Sequence, residues 1–314
     1  MPAIKVITIV TQITLSLITI MLFSCSEKPA DIINPEPKKI KEKTLTIAIL
    51  PEQNVFEQKK KYKPLAEYLS GALDVNVKIK LLDSYGSIYD EIRDRTIDGA
   101  FFGSFNYVLI KARADIEPLA RPVETGDISV YKGIIFTRKD RKIASNVETW
   151  KGRKIALVHE VTTAGYVFPR WYLKKYGVND FAKHFGKIVF TGSHDAAILS
   201  VFKGQTDIGA AKDLMFRKLL SENPAIKNEM LILAESTAVP SNSLCVRSSL
   251  DRETKEALKK ILLSLHDTKG GNKALQALNA IRFKETKDSE FDTLRVMAGD
   301  LGIDIRTYPF RYRR

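Results

Sequence analysis

Twice along this chain, short apolar runs alternate with amphipathic helical patterns, and that alternation limits the folds open to it. TLTIAIL (44–50) reads as a strand, YKPLAEYLSGAL (62–73) as an amphipathic helix ending near Gly71, and VNVKIKLL (75–82) alternates at period two. SIYDEIRDR (87–95) is helical, IDGAFFG (97–103) reads as a buried strand, and FNYVLIKARA (105–114) is helical again. Strands separated by helical crossovers pair in parallel, so this order predicts a parallel sheet covered by helices. The pattern restarts with a strand at GRKIALV (152–158) and a helix over 163–177, in which Pro169 is a candidate kink. KIVFTG (187–192), HDAAILSVFKG (194–204) and TDIGAA (206–211) then supply strand, helix and strand. Thr96, Asp98 and Ala100 in the first half are matched by Thr206, Asp207 and Ala210 in the second. Two copies are too few for a solenoid and predict two similar three-layer α/β lobes.

YKGIIFTRKD (131–140) and SNSLCVRSSL (241–250) read as strands flanked by polar residues. Two such crossings imply a chain that leaves the first lobe, builds the second and returns. ETKEALKKILLSLHD and two further helices then pack on the first lobe. The expected bounds are 44–140 and 241–314 for lobe 1 and 141–240 for lobe 2. A two-strand hinge between them frames a cleft that closes on a ligand.

The N-terminus differs from the rest. Lys5 is the only charge before Cys25, and Val6 to Phe23 is almost wholly apolar or Thr. That length suits an uncleaved anchor, and it also suits a signal peptide with a short positive start. Leu22-Phe23-Ser24-Cys25 resembles a lipobox, the bacterial lipoprotein signal. It implies a signal peptide over 1–24, lipid on Cys25 and export to the outer side of a bacterial membrane. SEKPADIINPEPKKIKEK, within 25–43, is charged and lacks apolar periodicity, as a tether does. With Cys25 lipidated, Cys245 is left alone, and neither a disulfide nor a cysteine metal site can form within the chain.

The formal charge of +13 suits nucleic acid, anionic lipid or an anionic solute. The Lys and Arg residues are dispersed, apart from KKK at 59–61 and the terminal RYRR, and no helix carries a basic stripe interleaved with aromatics. Nucleic acid is therefore not an expected partner, and an anionic small ligand is. Signals for an enzyme are poor. His159-Glu160 lacks the second His of a zinc protease motif, and no G-x-S-x-G elbow or P-loop occurs. The four His have no metal-ligand spacing, so no metal or cofactor is expected.

HEVTTAGYVFPRWYLKKYG, from His159, places two threonines and a glycine between a strand and a helix. A helix start leaves N–H groups unpaired and carries partial positive charge. After a strand of an open α/β sheet it lies at the ligand-binding edge. Thr162 and Thr163 fit such an anion site, and so does Gly103-Ser104-Phe105-Asn106-Tyr107 in the first half. The ordinary alternative is that Thr162, Thr163 and Ser104 are helix caps. Lys212 ends the TDIGAA strand on the cleft side, either as a solvated lysine or as a cation for the anion.

LTIAILPEQN, YKPLAEYLS, FFGSFNYVL, TTAGYVFPRWYL and FTGSHDAAILSVFKGQTDIGA, in that order, resemble the phosphate/phosphonate-binding proteins of ABC importers. The resemblance implies a type II periplasmic binding protein with one oxyanion held between two lobes. It implies that Thr162 and Thr163 grip the phosphoryl oxygens and that His194 lies near the anion. Tyr85 and Tyr131 are implied to form cleft wall, while Ser104 replaces a common Pro. The alternatives are that His194 caps its helix with Asp195 and that the two tyrosines pack the hinge. The expected function is a lipid-anchored, monomeric binding protein that delivers a phosphorus oxyanion to an ABC permease. The alternative is a sensor that presents its closed form to a membrane signalling receptor. Relatives that take aminoalkyl phosphonates place carboxylates opposite the anion. Here Lys212 and the uncharged Ser241-Asn242-Ser243 stand at those positions, with Asp213 expected to point away, which implies a small ligand without an ammonium group.

Overall fold

A computed structural model describes residues 43–310. The signal peptide, Cys25 and all of the tether but Lys43 lie outside the described residues. Among the described residues, thirteen strands, numbered in chain order, are β1 (Thr44–Ile49), β2 (Asn76–Leu81), β3 (Gly99–Phe102), β4 (Ile116–Glu124), β5 (Val130–Tyr131), β6 (Gly133–Arg138), β7 (Lys154–Leu157), β8 (Lys187–Phe190), β9 (Ile208–Lys212), β10 (Met230–Glu235), β11 (Val239–Pro240), β12 (Ser243–Arg247) and β13 (Ala280–Glu285). They form a six-stranded sheet ordered β13-β4-β12-β3-β1-β2 and a five-stranded sheet ordered β10-β6-β9-β7-β8. β1 is parallel to β2 and β3, and β7 is parallel to β8 and β9. Each parallel trio is the set of strands read from the sequence alternation.

The trios are extended by strands from the chain crossings. β12 joins β3 antiparallel in the first sheet, and β6 joins β9 antiparallel in the second. The short pair β5 and β11 links the lobes as two antiparallel strands. Strand 133–138, expected with lobe 1, therefore belongs to the second sheet, so the crossing falls at Val130–Tyr131 and not at 140. The apolar sequence GIIF is buried on both faces in either sheet, so its composition carried no sign of which lobe it joins.

Side-chain alternation assigns the layers. Leu45, Ile47 and Ile49 of β1 face the outer core of lobe 1, whereas Ala48 and Leu50 face inward. Ile155 and Leu157 of β7 face the outer core of lobe 2, and Ala156 and Val158 face inward. The two inward sets belong to one apolar cluster that runs across both lobes. Each fully buried Leu, Ile or Phe contributes about 1.5–3 kcal/mol, so this shared layer favours closed lobes. At the edge, β2 exposes Lys78 and pairs Lys80 with Glu91 at 2.6 Å, which blunts pairing with other chains.

Several elements depart from the sequence reading. The first helix starts at Val55 rather than Tyr62, because the Asn54 side chain accepts Phe56 N–H at 2.9 Å and sets the start ahead of the lysine run. The expected helix over 163–177 is a wide π turn, Thr163–Val167, followed by an α-helix, Phe168–Lys175. Pro169 sits in the first turn of that α-helix, just where the π turn passes into it, and its missing N–H falls at that change of hydrogen-bond pattern. β4 and β13 were not anticipated. Helices Arg252–Leu263 and Lys269–Ala277 contribute Leu258, Leu262, Ala274 and Leu275 to the lobe 1 core, as expected.

Candidate functional site

The two lobes meet around a small chamber at the ends of the parallel strands. Lobe 1 brings a helix start to it. β3 ends at Phe102, Gly103 is extended, and helix Ser104–Lys111 begins. Its second residue, Phe105, donates its backbone N–H to Thr163 Oγ1 of lobe 2 at 3.0 Å. Asn106 turns its side chain into the chamber, only 2% exposed, and its Nδ2 has no hydrogen-bond partner. Tyr85, in the turn after β2, also lines the chamber at 2% exposure with an unpartnered hydroxyl. Burial, reinforced by the Glu52 charge, pushes its phenol well above the usual range, so it stays a donor. A buried donor left unpaired costs roughly 1–3 kcal/mol. Two of them aimed into one small void mark a place for acceptor oxygens.

Lobe 2 contributes the π turn and a histidine. Gly165 is required there, since a Cβ would lie 2.4 Å from the Val158 side chain. Thr163 Oγ1 accepts from Phe105, which leaves its own proton to donate. Thr162 donates its hydroxyl to the His159 carbonyl at 2.7 Å. It lines the chamber, but that hydroxyl stabilises the local turn. Ser193 and Asp195 cap helix His194–Phe202 by accepting from Ala196 N–H, so His194 is not the cap. The His194 ring points inward, 1% exposed, and Nδ1 accepts the Lys212 N–H at 3.2 Å. The ring proton then sits on Nε2, as a further donor. Burial and the Lys212 charge hold His194 down to about 3, so the ring is neutral at physiological pH.

Lys212 is not a solvated lysine. It is 8% exposed, and its ammonium contacts the Glu52 carboxylate, donates to Asn242 Oδ1 at 2.7 Å and lies 4.6 Å from the Tyr131 ring centre. Burial opposes ionisation of Glu52, but the Lys212 charge and hydrogen bonds to Lys212 and Asn242 prevail and lower its carboxyl. Asp213 faces elsewhere, as expected, accepting from Lys132 N–H and Arg217, each at 2.9 Å. Glu52, Tyr131 and Lys212 also border a second cavity of about 850 Å³, whose other walls include Lys61, Glu124 and Lys218.

Of the residues expected at the ligand, Tyr85, Asn106, Tyr131, Thr162, Thr163, His194 and Lys212 line one chamber. Ser104 and Phe105 do not. The Ser104 hydroxyl donates to the Pro240 carbonyl of the hinge at 2.7 Å, and the Phe105 ring is fully buried against Tyr308. Glu52 and Asn242 were missed as site residues. Glu52 follows β1 in LPEQN, at the strand edge where ligands bind, and the rule that drew attention to Thr162 applies to it equally. Among the described residues, no cluster of His, Cys, Asp and Glu could hold a metal ion.

Known proteins share the family and the fold of this chain. The family described as "ABC transporter, phosphonate, periplasmic substrate-binding protein" matches residues 47–291. The chain is 25% identical over 225 residues to the phosphate-import protein PhnD of Mycolicibacterium smegmatis, covering 69% of this chain and 70% of that protein. It is 25% identical over 288 residues to the probable ABC transporter phosphite binding protein PhnD1 of Prochlorococcus marinus, covering 87% and 92%. The structure of PhnD1 from Prochlorococcus marinus in complex with methylphosphonate matches the fold with a TM-score of 0.74 at 23% identity, over 83% of this chain and 98% of that one. A binding protein component of an ABC phosphonate transporter from Pseudomonas aeruginosa matches with a TM-score of 0.76 at 21% identity, over 83% and 87%. With most of its length covered by the family match and with the same two-lobed architecture, this chain belongs to the periplasmic substrate-binding proteins of phosphonate ABC transporters.

Proposed function

We propose that the protein captures a phosphorus oxyanion (phosphate, phosphite or a small phosphonate) in the interlobe chamber and delivers it to an ABC permease as a lipid-anchored monomer. The observation that carries this reading is the pair of buried, unpartnered donors, Tyr85 Oη and Asn106 Nδ2, aimed into one small chamber. Thr163 Oγ1 and His194 Nε2 complete a set of neutral donors. The Lys212 charge is spent on Glu52, so the anion is held by dipoles already fixed in place. Such dipoles act strongly when water is excluded. The donors come from both lobes, so a bound anion favours the closed form, which is the form a permease would recognise.

Calorimetric titration of the ligand-stripped protein with phosphate, phosphite and methylphosphonate tests the chamber. At least one should bind, and mass spectrometry of ligand released by mild denaturation should find a phosphorus compound. Binding of none of the three contradicts the proposal. For the anchor, Cys25→Ser should abolish fatty-acid labelling of the protein in cells. Unchanged labelling refutes lipidation at Cys25.

A further inference from the structure

The environment of the Lys212 ammonium is that of a ligand subsite. A carboxylate (Glu52), an amide oxygen (Asn242 Oδ1, 2.7 Å) and an aromatic face (Tyr131, 4.6 Å) surround it. Those three groups are what a primary ammonium requires: charge, a hydrogen-bond acceptor and a π surface. The subsite adjoins the anion chamber, since Glu52, Tyr131 and Lys212 line both it and the larger cavity beyond. Glu52 and Asn242 belong to lobe 1, and Lys212 ends β9 of lobe 2.

We infer that Lys212 is a built-in occupant of an ammonium subsite, and that by filling it the protein excludes phosphonates that carry their own amine. The inference rests on the reading of the chamber as a phosphorus-oxyanion site. An aminoalkyl phosphonate seated in the chamber would bring its ammonium towards Lys212, a like charge, while the nearest carboxylate is already paired. Its chain would also meet the wall that the lysine stem forms against the cavity of about 850 Å³. Removing the lysine side chain clears the wall and frees Glu52 together. Lys212 is thus a specificity-determining residue, and Glu52 is a latent partner for a ligand amine.

The test is calorimetric titration of ligand-stripped wild type, Lys212→Ala and Lys212→Met with methylphosphonate, propylphosphonate and 2-aminoethylphosphonate. Wild type should favour methylphosphonate over 2-aminoethylphosphonate by at least about tenfold, a comparison that needs no variant. In both variants 2-aminoethylphosphonate should gain about tenfold or more, and propylphosphonate, similar in length but uncharged at its end, should gain less. Adding Glu52→Gln should remove the amine-specific gain. Lys212→Met keeps an apolar stem and guards against a folding defect in Lys212→Ala, with melting temperatures as the check. Equal gains for the amine and propyl ligands would overturn the inference, as would tight 2-aminoethylphosphonate binding by wild type. Loss of every ligand from folded variants would also overturn it, by assigning Lys212 to the anion itself. If wild type binds no phosphonate and no phosphate, the chamber reading fails first, and that result is distinct from failure of the lysine inference alone.

Discussion

The two helix starts that meet at the chamber occupy matching places in the two lobes, yet they use their polar groups differently. In lobe 1 the Ser104 hydroxyl is directed away to the hinge carbonyl of Pro240, and the ligand-facing group is the Asn106 amide. In lobe 2 the Thr162 hydroxyl secures its own turn through the His159 carbonyl, and the available hydroxyl is that of Thr163. Each lobe thus holds one hydroxyl for architecture beside one donor for the chamber. The two are distinguished by their hydrogen-bond partners and not by residue type or position along the helix start. The lobes also touch here, through Phe105 N–H and Thr163 Oγ1. One threonine therefore joins the lobes and keeps a proton to donate into the chamber.

That division of labour can be broken residue by residue. Thr163→Val should have the largest effect, since it removes a donor to the ligand and the acceptor of the interlobe bond together. A hydrogen bond to a charged group is worth about 1.5–3 kcal/mol, so the affinity loss should be about 100-fold. An unchanged dissociation constant by calorimetry would make Thr163 merely architectural. Asn106→Leu and Tyr85→Phe should each weaken binding by about tenfold or more. Because each removes a buried donor without a partner, the ligand-free melting temperature should hold or rise. A falling melting temperature with intact affinity would reverse the assignment.

Thr162→Val and Ser104→Ala should do the opposite. Each loses one structural hydrogen bond, within the turn for Thr162 and to the hinge for Ser104, a stability change of about 1 kcal/mol, and affinity should shift by less than about threefold. Parallel denaturant titrations and calorimetry on the five positions would show whether affinity and stability separate as the geometry requires.

A graded effect comes with pH. Burial holds His194 down to about 3 and His159 to about 4. The unfolded chain takes up these protons below about pH 6.5, where the folded chain does not. The unfolded state therefore binds more protons, and stability falls as pH drops from about 6.5 towards 4, by up to about 1.4 kcal/mol per unit for each histidine. Above about pH 6.5 neither contributes a slope. Urea unfolding of ligand-free wild type and His194→Asn across that window should give a shallower dependence in the variant. Equal slopes would contradict a neutral, buried His194.

The sequence was most informative where local pattern and tertiary role coincide. The parallel trios were legible because β1, β3, β7 and β9 are buried enough to read as short apolar runs, while β2, exposed at Lys78, reads as a period-two alternation. TTAGY was legible because the wide turn needs a glycine against Val158 and hydroxyls at its start. The return of β12 to the first sheet was legible as a chain that comes back to lobe 1, but the exchange of β6 was not, because it is set by which sheet edge the chain reaches after the hinge, a choice made by pairing between distant segments. The pairing of Glu52 with Lys212 spans 160 residues. It needs the lobes closed before it exists, so each residue could be noticed at its own strand end but their pairing could not.

A crystal structure of the protein with methylphosphonate tests the central claim most directly. The account predicts the phosphonate inside the chamber, its oxygens within hydrogen-bond distance of Tyr85 Oη, Asn106 Nδ2, Thr163 Oγ1 and His194 Nε2, with Lys212 still on Glu52. A phosphonate seated in the outer cavity on Lys61 and Lys218, with Tyr85 and Asn106 still unpaired, would contradict it.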